Sequence, residues 1–153
     1  MKSSFYLYNN VSLAVGIVCS ALRTGRPVSM AELSLLLPFL LDDKIVETLQ
    51  DRHKYVTIRS LITKNNIALG NFNDRYLSLL PLVYQSLSLM LDVDAITISG
   101  GVITAKNLQP FDGMIAGSGS EQLRKISEAT VLLLKATEGA DLAAIYKTLK
   151  VEL

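Results

Sequence analysis

The stretch DRYLSLLPLVYQSLSLMLDVDAITISGGVITA, residues 74–105, changes its period part-way, and that change decides the fold. From Asp74 to Leu91 apolar residues recur on nearly every helical face, which predicts a central helix enclosed by others. Beyond Asp94 the pattern turns to two short β-prone runs, Ala95 to Ser99 and Val102 to Ala105, parted by Gly100 and Gly101. A glycine pair accepts the positive φ angles of a tight turn, so these runs predict a β-hairpin.

Working towards the N-terminus, residues 70–74 are turn formers, and Thr57 opens a short segment with Ile58, Leu61 and Ile62 on one side. Asp42 or Asp43 caps another short amphipathic helix through Ile45, Val46 and Leu49. Ser29 and Glu32 have capping-box spacing ahead of a leucine-rich helix that Pro38 should kink or end. Asn10 is placed to cap a first helix in which Val11, Ala14, Val15, Val18, Cys19 and Leu22 repeat at helical spacing. Arg23, Gly25 and Pro27 then supply a basic last turn, a stop and a breaker. Lys2 followed by the uncharged run Ser3 to Leu22 superficially imitates a secretory signal. Asn9 and Asn10 break that run and no small-x-small cleavage site follows, so it reads as a buried helix.

Towards the C-terminus, a loop holding Pro110, Gly113, Gly117 and Gly119 leads to a long helix that begins at Ser118 or Ser120 and carries Leu123, Ile126, Ala129, Thr130, Leu133 and Leu134. Gly139 separates it from a last helix carrying Leu142, Ile145, Tyr146 and Leu149. The class is therefore mainly α: a compact helical domain with one β-hairpin. A single domain spans 1–153, with a helical core in 1–92 and the hairpin and C-terminal helices in 93–153. Helices, a hairpin and more helices are compatible with a winged-helix-like arrangement in the second half.

Half of the 153 residues are hydrophobic, only 19% are charged, and the mean hydropathy is +0.35. A chain of this length buries roughly 70% of its unfolded surface, so some apolar material should stay outside, and exposed apolar patches mark partners. The net charge of +1 gives no global field towards nucleic acid or anionic lipid. The uncharged run Tyr76 to Leu91 is short for a bilayer and contains Pro81 and Gln85, which argues against a membrane span. A single cysteine excludes an internal disulfide and a thiolate metal cage, and fits a reducing, cytoplasmic setting.

Catalytic chemistry finds little to work with. His53, the only histidine, stands between Arg52 and Lys54, where cationic neighbours and exposure suit a surface residue better than a general base. Cys19 falls in an apolar stripe and reads as a small core residue. The acidic pairs Asp42 with Asp43, and Asp92 with Asp94, border element ends and lack the further ligands that a divalent cation requires. Gly117-Ser118-Gly119-Ser120 precedes a helix but lacks the Gly-Lys-Ser/Thr ending of a nucleotide loop. The expectation is a non-enzymatic chain with no cofactor and no metal. Arg52, Lys54, Arg59, Lys64 and Lys106 are the candidate nucleic-acid contacts, although scattered cations without interleaved aromatics also describe an ordinary solvated face.

The order of several motifs resembles a known family. Tyr8-Asn9-Asn10 opening a small-residue helix, LLLPFLL (Leu35 to Leu41) before the short helix Lys44 to Leu49, YLSLLPLVYQSLSLM (Tyr76 to Met90) and the closing LAAIYKTLKVEL (Leu142 to Leu153) are similar to the middle component of three-component ABC-ATPase (ABC-3C) systems. The likeness spans most of the chain, and its motifs are degenerate and leucine-rich. Among these systems are the Lamassu-type anti-phage and anti-plasmid defences, with an SMC-like ABC ATPase, an effector often of nuclease type, and a small middle protein. The resemblance implies an adaptor with the ATPase and the effector as partners, and it supplies no catalytic residues; a winged-helix DNA-binding module is the rival expectation, and the two are compatible if the adaptor holds DNA beside its ATPase. The leucine run reads as core before interface, because strongly apolar helices are usually buried. Leu142, Ile145, Tyr146 and Leu149 are the candidate partner-binding residues, since a short terminal amphipathic helix needs something to pack upon.

Overall fold

The computed structural model describes residues 2–50, 57–67, 69–112 and 121–151, with side chains from residue 11 onward. Among these residues it has seven α-helices and one small antiparallel sheet. The helices are α1 (Lys2–Leu22), α2 (Met30–Leu40), α3 (Asp43–Leu49), α4 (Ile58–Lys64), α5 (Phe72–Asp92), α6 (Glu121–Thr137) and α7 (Leu142–Thr148). The strands are β1 (Val28–Ser29), β2 (Ile96–Ser99) and β3 (Val102–Ala105).

The start of α1 departs from expectation. Asn10 lies inside the helix rather than at its cap, because the run from Lys2 holds no breaker and asparagine's modest propensity cost is outweighed by cooperative propagation. From Ala14 to Leu22 the helix is buried on every face, wedged against α5 and α6. Gly16 permits the close approach to α6: a Cβ there would lie 2.6 Å from the Leu123 Cδ1 atom.

The caps read from the sequence recur with measurable geometry. Ser29 Oγ accepts from the Glu32 amide at 3.0 Å while the Glu32 carboxylate accepts from the Ser29 amide at 3.4 Å, closing the capping box of α2. Asp42 Oδ1 accepts from the amides of Lys44 and Ile45 at 2.9 and 3.3 Å, and Thr57 with Ser60 caps α4. Pro38 does not end α2, which runs two residues further. Arg75, on α5, donates to the Pro38 carbonyl and to Asp42 Oδ2, the latter at 3.1 Å, so one guanidinium ties the end of α2 and the start of α3 to α5. A cation there also suits the negative end of the α2 dipole.

The enclosed helix is α2, not α5. Every residue from Leu33 to Leu40 is buried, packed among α1, α3, α5 and α6, so the LLLPFLL run is core from Leu35 to Leu40 and only Leu41 is half-buried. The α5 helix buries Phe72, Tyr76, Leu82, Val83, Ser86, Leu87 and Met90 and leaves its other face in solvent. A helix with no charge between Arg75 and Asp92 looks enclosed from its composition, yet its apolar residues here divide between two faces.

The hairpin forms as the glycine pair predicts, with φ of 58° at Gly100 and 75° at Gly101 and Ser99 paired to Val102. It is not a stand-alone hairpin. Val28 and Ser29 pair with Ile103 and Val102, so β3 lies between β1 and β2 and the sheet draws on both halves of the chain. A two-residue strand has no alternation to recognise, which is why the sequence does not announce it.

Candidate protein-docking site

Asp141 builds the platform for the last helix: its Oδ1 accepts from the amides of Ala143 and Ala144 at 3.0 and 3.4 Å. At the other end Val151 donates to the Tyr146 carbonyl, and Lys150 takes a left-handed conformation with φ of 56°, a place usually given to glycine. Ile145 and Leu149 are buried in the core. Tyr146 is 8% exposed; its hydroxyl donates to the Ala31 carbonyl at 2.6 Å and accepts from Tyr76 at 3.5 Å. The two tyrosine rings meet edge to face, 5.6 Å apart and at 86°.

That tyrosine pair forms the floor of a groove of about 640 Å³ between α2, α5 and α7. Met30, Ala31 and Ser34 line it from α2, Tyr84 from α5, and Leu142, Ala143 and Lys147 from α7, with Val151 closing one end. Tyr84 also belongs to the solvent face of α5, where Leu77, Pro81, Tyr84, Ser88 and Leu91 follow one another at helical spacing, all exposed. Leu77 is 46% exposed, Tyr84 58% and Leu91 43%. No charged residue stands between Arg75 and Asp92. An apolar, uncharged stripe of four turns running into an aromatic-floored groove has the chemistry of a protein contact surface. Apolar residues on nearly every face of the 74–91 stretch hide it in the sequence.

The proposed nucleic-acid cations are scattered. Arg52 and Lys54 lie outside the described residues, as do His53 and Gly117 to Ser120. Arg59 and Lys64 are exposed on α4, and Arg59 lines a groove of about 320 Å³ between α4 and α7 whose other wall includes Ala140, Asp141 and Ile145. Lys106 follows β3 and is bound by Asp94 at 2.7 Å, in a bridge with both partners largely in solvent. Packing joins α4 to α3 and α6, whereas the hairpin packs on α5 and β1, so no observed contact gathers these cations into one face.

Burial pushes the Cys19 thiol up to about 11; Arg23 opposes the shift and Asp112 adds to it. A thiol so placed stays protonated and inert near neutral pH. Among the described residues no group of three His, Cys, Asp or Glu side chains is arranged to hold a metal, and no helix is long and apolar enough to cross a membrane.

The model of one family, the ABC-three component (ABC-3C) system Middle Component 3, matches residues 19–153. The chain belongs to that family. The matched span takes in α2 to α7 and the sheet, so both walls of the groove and the whole α5 stripe are parts of the middle component proper. No curated protein and no solved structure matches the chain.

Proposed function

We propose that this middle component is the non-catalytic adaptor of its system, joining an SMC-like ABC ATPase to an effector, often a nuclease, in the cytoplasm. The setting we propose is a Lamassu-type defence against phage and plasmids. The observation that carries the reading is the uncharged, exposed face of α5 continuing into the groove beside α7 in a chain whose family is defined by a multi-component system. Co-expression with the neighbouring genes, followed by size-exclusion chromatography with light scattering, tests it. The expected result is one peak containing the ATPase and this chain; a chain that elutes alone as a monomer overturns the proposal. ATP or nucleic-acid hydrolysis by the isolated chain would overturn the non-catalytic part.

A second reading is a winged-helix DNA-binding module or transcriptional regulator. It is favoured by the order α1, β1, α2, then α5 and the hairpin, with β3 central in the sheet, a winged-helix plan to which α3 and α4 are additions. On that plan α5 would enter the major groove. After Arg75 it carries no cation, Arg75 is committed to Asp42 and Pro38, and Lys106 is bound by Asp94. Phosphate binding draws on several free cations, so this charge pattern favours a protein partner. Duplex binding that weakens steeply with salt and with Lys106→Ala would reverse the preference.

A further inference from the structure

We propose that the groove between α5 and α7 receives an acidic amphipathic helix from a partner protein, its apolar side on the tyrosines and its carboxylates on Lys147. The identity of the donor chain rests on the adaptor reading; the chemistry of the groove does not.

Three observations carry the inference. The groove is lined mainly by apolar and aromatic side chains, and the Tyr146 hydroxyl at its floor already donates to the Ala31 carbonyl. The exposed stripe from Leu77 to Leu91 extends it along about 21 Å of α5, the length of about four helical turns. Finally, Lys147 is the one charged side chain among the described residues that line it. Lys147 lines the groove and Lys150 follows in the next turn; both are exposed, and neither has an ion-pair partner among the described residues. Glu32, next to the lining residue Ala31, is paired with Arg26 at 2.8 Å. A carboxylate-bearing helix answers that imbalance, and desolvation by the apolar walls strengthens the pairing.

A second copy of this chain is the poorer occupant. Its corresponding face would bring the same two lysines and no carboxylate between Arg75 and Asp92. Self-pairing through that stripe would leave Lys147 without a counter-charge.

The test uses two synthetic fluorescein-labelled peptides of about four helical turns, sharing one face of leucine and phenylalanine and carrying either glutamate or lysine along the other. In fluorescence anisotropy with the full chain, the glutamate peptide should bind at least about tenfold more tightly. Lys147→Glu should abolish or invert that preference, Lys147→Arg should keep it, and Ala143→Trp should block both peptides by filling the groove. Both positions are exposed, so thermal melts of the variants should match the parent. Equal affinity for the two peptides, binding to neither, or binding indifferent to Lys147→Glu and Ala143→Trp overturns the proposal. The co-encoded ATPase and effector separate the two readings. A complex that forms without displacing the glutamate peptide overturns the groove as docking site and leaves the adaptor standing. Peptide binding as expected with no complex overturns the adaptor and leaves the groove.

Discussion

Replacing Tyr146 asks whether the last helix is part of the core or merely rests on it. Its hydroxyl donates a 2.6 Å hydrogen bond to Ala31, and a bond of this kind contributes about 1 kcal/mol net. For a chain of this length 1 kcal/mol moves the melting temperature by about 2–4 °C, so Tyr146→Phe should melt lower by that amount. Tyr146→Ala also removes a ring that is 8% exposed and packed edge to face on Tyr76, a loss of about 3–5 kcal/mol, or about 10 °C. The Tyr76 hydroxyl is 3.5 Å away, at the limit of a hydrogen bond, so a Tyr76→Phe/Tyr146→Phe cycle should show coupling below about 0.5 kcal/mol.

There is a matching pH signature. Burial, followed by the hydrogen bond from Tyr76, raises the Tyr146 phenol above its ordinary value of 10.0. The folded form therefore favours the neutral phenol: the contribution is fully present below pH 10 and declines as pH climbs beyond it. Tyr146→Phe should lose that part of the alkaline decline. Melts followed by circular dichroism across this range are the assay. If Tyr146→Ala melts within a degree of the parent and loses only partner binding, the packing of α7 described above is wrong and the ring belongs to an interface.

Further outcomes follow from other residues. Arg75→Ala should cost about 1–3 kcal/mol in urea unfolding, because it leaves the Pro38 carbonyl and Asp42 without their shared donor. Lys150→Gly should raise the melting temperature, by about 0.5–1 kcal/mol of relieved backbone strain at φ 56°. Burial raises the Cys19 pKa from 9.0 to about 11, so its contribution to stability should be fully present below pH 9 and be lost as pH rises through 11; Cys19→Ala should lack this decline in the same melts. Leu77→Glu with Leu91→Glu should leave stability within about 0.5 kcal/mol, since both face solvent, while weakening co-purification with the ATPase.

What could be read from the sequence was local. The Ser29–Glu32 capping box, the Gly100–Gly101 turn and the Gly139 break are short-range devices whose chemistry is complete within a few residues, and they appear where expected. The proposed docking surface was less legible because it depends on which face of α5 is covered, and periodicity says little when leucines occupy both faces. Leu142, Ile145, Tyr146 and Leu149 form one apolar set in sequence, but the fold sends Ile145 and Leu149 into the core and leaves Leu142 and Tyr146 lining the groove. The β1 strand and the Arg75 latch need partners far along the chain, and no local pattern encodes them.

The packing of α1 on α6 fixes an order of events during synthesis. Leu22 has left the ribosome well before Glu121, and at roughly 5–20 residues per second the delay is about 5–20 s. Through that interval the apolar sides of the first two helices lack their eventual neighbour, and they stay uncovered on that side until α6 emerges.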